Sequence, residues 1–139
     1  MRDSQIAEWY SCIENLRGSI MQLEEQGALC GETIAKIDKR RDDYCEMCDA
    51  RKRKALVLYD DFPKVRFAGN YGLYMEQVLE GTEQKKIIGY YDELVENICE
   101  QQHRIENDIQ ENYRQIEELE YRIAEAERQR EAETVTYGY

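Results

Sequence analysis

Proline, histidine and tryptophan each occur once in this 139-residue chain, as Pro63, His103 and Trp9. With one proline, helices can run uninterrupted for most of the length and must break in one place. One histidine, with no Gly-rich phosphate loop and no strand-turn-helix pattern, leaves nothing from which to assemble a nucleophile and its base. The sequence therefore predicts no catalytic residues and no cofactor. No apolar run approaches 18 residues, which excludes a transmembrane helix and membrane insertion. Leu, Ile, Val and Phe are sparse, too few for a compact globule of this length to offset chain entropy.

What is abundant is charge, at 35% of residues, together with 11 tyrosines and 5 cysteines. The net charge of −11 is uneven. Residues 1–66 carry 12 Lys/Arg against 13 Asp/Glu, whereas residues 67–139 carry 7 against 17. So acidic a second half is repelled by phosphate backbones and anionic lipid, despite the local run Arg51-Lys52-Arg53-Lys54. Nucleic acid is therefore not an expected partner. The start of the chain runs straight into an amphipathic pattern without a signal-peptide core. An odd number of scattered cysteines suits reduced thiols. Both features predict a cytoplasmic protein, with export by a route reading other signals still open.

The charged residues are ordered by a heptad. With position a at Ile6, the a positions continue as Ile13, Ile20, Gly27, Ile34, Arg41, Cys48 and Ala55. The d positions hold Trp9, Leu16, Leu23, Cys30, Ile37, Tyr44, Arg51 and Leu58. Thirteen of these sixteen are apolar, aromatic or Cys, which predicts a coiled-coil arm over about residues 4–59 and argues against disorder. Asp3 or Ser4 is expected to cap it. Gly27 and Gly31 mark either a close helix approach or a soft point.

The pattern fails at Asp60-Asp61-Phe62-Pro63, and Gly69, Asn70 and Gly72 follow, so a bend is expected over about 60–74. A second arm is predicted over about 75–132. Its a positions are Val95, Gln102, Ile109, Ile116 and Ile123, and its d positions are Ile98, Ile105, Asn112, Leu119 and Ala126. Residues 133–139 read as a frayed tail. Gln102 and Asn112 either fix alignment and partner choice or form a wet stretch of seam.

These elements predict an all-α fold, a single elongated antiparallel two-helix hairpin of coiled-coil type, with arms on the order of 75 Å long. Two helices bury each seam on one side only, so packing with a partner into a helical bundle, or homodimerisation, would bury more.

Cys45-Glu46-Met47-Cys48 is a Cys-x-x-Cys, but it lacks the second ligand pair of a zinc site and the βαβ context of a redox pair. Residues three apart share a helix face, and structural thiols are the favoured reading, so no metal is expected. A metal or redox sensor is the weakest of three functional classes. His103, at position b of the second arm, is expected on the surface.

The segment Phe67-Ala68-Gly69-Asn70-Tyr71-Gly72-Leu73-Tyr74-Met75 is more distinctive. An aromatic can plug the end of a hairpin, Gly69 allows a tight turn, and Gly72 and Met75 share one face of a following helix. This arrangement resembles the Trp-x-Gly turn of the small helical hairpins of type VII (Esx) secretion. More closely, the chain is similar to the YwqH-like family encoded beside LXG toxins, with Phe67 where the family usually has Trp, then Gly69, Gly72 and Met75. Tyr91-Asp92-Glu93-Leu94-Val95-Glu96-Asn97-Ile98 also looks like that family's second helix. The resemblance implies a chaperone-like targeting factor that lies beside the helical N-terminal domain of an LXG toxin. A second small helical protein can join such a complex, and the chain can itself be exported with it. It also implies an export signal, Tyr-x-x-x-Asp/Glu after the second helix, for which Tyr113…Glu117 and Tyr121…Glu125 are the candidates. Tyr10…Glu14 has the same spacing, and a chain this rich in Tyr and Glu produces such pairs by composition. The alternative on periodicity alone is a self-assembling coiled-coil scaffold or adaptor.

Overall fold

The computed structural model describes residues 2–61, Asn70, Tyr74 and 81–137, and the side chains of 3–57, 70, 74 and 81–134. Helix α1 spans Arg2–Asp61 and helix α2 spans Thr82–Tyr137. The described residues contain no strand, and the two helices pack against each other as an all-α, antiparallel hairpin. No described helix is long and apolar enough to cross a membrane.

Helix limits differ from the sequence expectation in ways that have local causes. Asp3 and Ser4 lie inside the first turn of α1 and so do not cap it. Asp3 instead places a negative charge at the positive end of the helix dipole and pairs with Arg130 at 2.7 Å. The start of α2 is set by Gly81, whose carbonyl accepts the amide of Lys85 at 3.3 Å, with Glu83 in the first turn. At the far end, the expected frayed tail is helical as far as Tyr137. Loss of the apolar seam there does not stop the helix, because no Pro or Gly intervenes before Gly138. The Thr134 hydroxyl donates to the Arg130 carbonyl at 2.9 Å, a bond made within the helix. The turn residues Phe67, Gly69, Gly72 and Met75 lie outside the described residues, as does most of the expected bend.

Packing divides what the heptads present as one hairpin into two units, Met1–Leu29 with Gln101–Tyr139, and Cys30–Glu100. In the first unit, Ile6, Ile13, Ile20, Ile116, Ile123 and Ala126 form the buried cluster, with Trp9, Leu16, Ile109 and Leu119 packed against it. Gly27 sits opposite Ile105, and a methyl group added there would meet Ile105 Cγ2 at 3.7 Å, an ordinary contact. Helix α1 is continuous through Gly18, Gly27 and Gly31, and α2 through Gly89. None of these glycines interrupts its helix, and Gly27 leaves space its neighbour does not need.

In the second unit, Cys48 and Ala55 are buried while Ile34, Ile37 and Ile98 are half-buried. The Tyr44 and Tyr91 rings pack at 6.4 Å between centroids with a 46° tilt. Arg41, at a seam position, reaches sideways to Asp92, with Nε donating to Oδ1 at 2.8 Å and Nη2 to Oδ2 at 3.5 Å.

Candidate protein-binding surface

The heptad assigns most seam positions to the packed side of each helix. Every a and d residue of α2 from Val95 to Ala126 is buried or half-buried, Gln102 and Asn112 among the half-buried. On α1 the same holds for the described positions except Arg51, which is exposed. Beyond Cys48 the packed side moves, since Lys52 at position e and Leu56 at position b are half-buried. A straight helix drifts about 20° per heptad against a strict seven-residue repeat, and the drift accumulates.

Within the seam of the first unit, the a and d layers of α1 are not equivalent. Ile6, Ile13 and Ile20, all at position a, are only 8%, 3% and 4% exposed. Trp9, Leu16 and Leu23, all at position d, are half-buried. The reason lies in what flanks each layer. Position a neighbours position e, and this side carries polar pairs between the helices. Tyr10 donates to Glu127 at 3.4 Å, and Arg17 to Glu120 at 3.5 Å. Position d neighbours position g, where α1 offers only Gln5, Cys12, Ser19 and Gln26, all exposed. The g positions of α2 hold Gln101, Asp108, Gln115, Arg122 and Gln129. On α1 the seam is therefore flanked by side chains that pair across the helices on one side and by uncharged ones on the other.

Several charged residues of α2 pair within the helix. Arg114 bridges Glu111 at 2.6 Å and Glu118 at 3.7 Å, and Arg122 reaches Glu118 at 2.8 Å. The Arg114 guanidinium, helped by Gln115, holds the Glu111 carboxyl down at about 2. Such exposed pairs support the helix only weakly, because water and salt screen them.

The chemistry-bearing residues are dispersed. The five cysteines are free thiols. Cys48 is buried, Cys45 half-buried, and no group of three metal-binding side chains occurs among the described residues. Burial, with a hydrogen bond to Cys48, pushes the Tyr44 phenol up. His103 is exposed, as expected, and its Nδ1 lies 3.9 Å from Glu106 one turn away. Two open grooves occur on the surface, one lined by Glu127, Arg130, Glu131 and Thr134, the other by residues of α1 from Ala7 to Arg17.

The candidate export pairs lie inside α2, whereas the resemblance would put the signal after the second helix. Tyr113 and Tyr121 are 50% and 64% exposed, Glu117 is exposed, and Glu125 pairs with Arg128 at 2.9 Å. The heptad count does not single out Met21, Leu29 and Leu94, which are exposed apolar residues away from the seam. As scattered singles they are ordinary surface. No family model, curated protein or solved structure matches the chain.

Proposed function

We propose that this protein is a non-catalytic helical partner, one that packs its unfinished seam against helices of another protein. The observation carrying this reading is the d layer of α1, where Trp9, Leu16 and Leu23 stay half-buried beside uncharged side chains of the same helix. Covering those residues removes further apolar area from water at roughly 25 cal/mol per Å², a gain that docked helices supply without changing the hairpin. The resemblance of the Phe67–Met75 turn to the YwqH-like family points to the partner, the helical N-terminal domain of an LXG toxin. The role is then that of a targeting factor for type VII secretion, held in the cytoplasm until export.

The test is co-expression with the toxin encoded by the neighbouring open reading frame. A stable complex and loss of toxin export on deletion of this chain are expected. Normal export after deletion, with no complex recovered, would sink the reading.

A further inference from the structure

We infer that Cys45 and Cys48 form a reversible thiol–disulfide switch, whose closure distorts one turn of α1 and loosens the second unit. This inference concerns the chain alone and stands apart from the toxin reading.

An uninterrupted helix opposes the bridge. Helix α1 runs without a break from Arg2 to Asp61, and both thiols are free on it. Side chains three residues apart on a helix keep their Cβ atoms about 5–6 Å from one another, whereas a disulfide draws them to roughly 4 Å. A bridge therefore forces the turn between them out of regular helical geometry. A bond closed against the helix is strained, and strained disulfides are the readily reduced ones that serve regulation. The missing βαβ context removes a thioredoxin-like catalyst and leaves this use in place.

What sits on that turn makes the change matter. Cys48 is 2% exposed, and among the described residues of the second unit only it and Ala55 are buried. The Tyr44 hydroxyl donates to the Cys48 sulfur, and the Tyr44 ring packs on Tyr91. One turn before Cys45, Arg41 holds Asp92 at 2.8 Å. Drawing Cys48 toward Cys45 takes its sulfur off the packed side and disturbs Tyr44 and Arg41 with it. The first unit closes on its own isoleucine cluster, which contains no cysteine. Cys45, half-buried, is the thiol that solvent reaches first. A small disulfide such as oxidised glutathione supplies the oxidising equivalents. The Cys45 thiolate attacks one of its sulfurs, forming a mixed disulfide and expelling one glutathione thiolate. The Cys48 thiolate then attacks the Cys45 sulfur, and the second glutathione leaves. Two protein thiols are oxidised, one glutathione disulfide is reduced, and the two cysteine protons pass to the two leaving thiolates.

The full chain in glutathione buffers of graded oxidised-to-reduced ratio tests this, with free thiols blocked and peptides mapped by mass spectrometry. A Cys45–Cys48 bridge should form and should reverse in excess reduced glutathione. On bridging, amide hydrogen exchange in residues 41–57 and 84–95 should quicken by roughly tenfold or more, while residues 6–24 and 105–126 keep their protection. Cys45→Ser should abolish both the bridge and the quickening. Cys12→Ser, at an exposed thiol of the first unit, should leave both in place. Free thiols at 45 and 48 at every ratio, a bridge from either one to another cysteine, or a bridge that leaves exchange unchanged overturns the inference. Quickening that survives Cys45→Ser overturns it as well, since it then arises from glutathione on a different cysteine.

Discussion

In residues 1–29 and 101–139 the helices close on isoleucine, with Ile13, Ile20, Ile116 and Ile123 each 5% exposed or less. In residues 30–100 the heptad adds Arg41, Cys48 and Ala55 at position a and Tyr44 at position d to the half-buried Ile34 and Ile37, and among the described residues there only Cys48 and Ala55 are buried. One repeat therefore serves two kinds of packing. Aliphatic side chains fill the first unit's centre, whereas the second combines small residues, a ring pair and a guanidinium that leaves the seam to reach a carboxylate. Periodicity reports which side of a helix is packed. The volume of the residues there decides how much is buried, and hence where substitutions cost most.

The sharpest test of that contrast is one core truncation in each unit. Ile116→Ala removes a buried branched side chain and should cost about 3 kcal/mol in urea unfolding. Cys48→Ala, at a position just as buried, removes little more than a methylene equivalent and should cost about 1 kcal/mol. Equal losses would break the distinction between the units. Glycine replacement is expected to ignore it. Gly18 and Gly89 face open space, one in each unit. Gly18→Ala and Gly89→Ala should each stabilise by about 1 kcal/mol in the same assay, and a loss at either would show a neighbour that the packing lacks.

Cross-helix pairs sharpen the comparison at smaller scale. Arg41 grips Asp92 with two nitrogens, while Arg17 touches Glu120 with one at 3.5 Å. A double-mutant cycle should give a larger coupling for Arg41–Asp92 than for Arg17–Glu120, though a small one because both groups meet water. The smallest effect is on titration. The Glu111 carboxyl is held down at about 2, chiefly by its hydrogen bond from Arg114. A depressed carboxyl contributes its stabilisation above the ordinary value near 4.5 and loses it as pH falls through about 2. An NMR titration should find that midpoint, and Arg114→Ala should return it toward the ordinary range.

Much of the hairpin was legible in the sequence because a seam of isoleucine and leucine at 3.5-residue spacing has few other uses. Reading failed where a rule was extended beyond its physics. Arg51 follows the count onto the seam but not into it, because a strict heptad ignores helix drift. The end of α2 was placed near residue 132 by the loss of apolar residues, although the helix runs on to Tyr137 without them. The unequal burial of the two layers was not visible either. Heptad counting treats a and d alike, and the difference between Ile13 and Leu16 comes from Arg17 on one side and Cys12 on the other.

The Arg41–Asp92 pair has a consequence beyond its small energy. Two heptad seams are nearly indifferent to sliding, since a shift of seven residues again sets apolar against apolar. Arg41 is not indifferent. Moved by one repeat it would face Lys85, a like charge, or Cys99, which cannot answer its own. A pair worth little to the finished hairpin thus separates the correct alignment of the second unit from its nearest impostors, as a key rejects a lock one notch away.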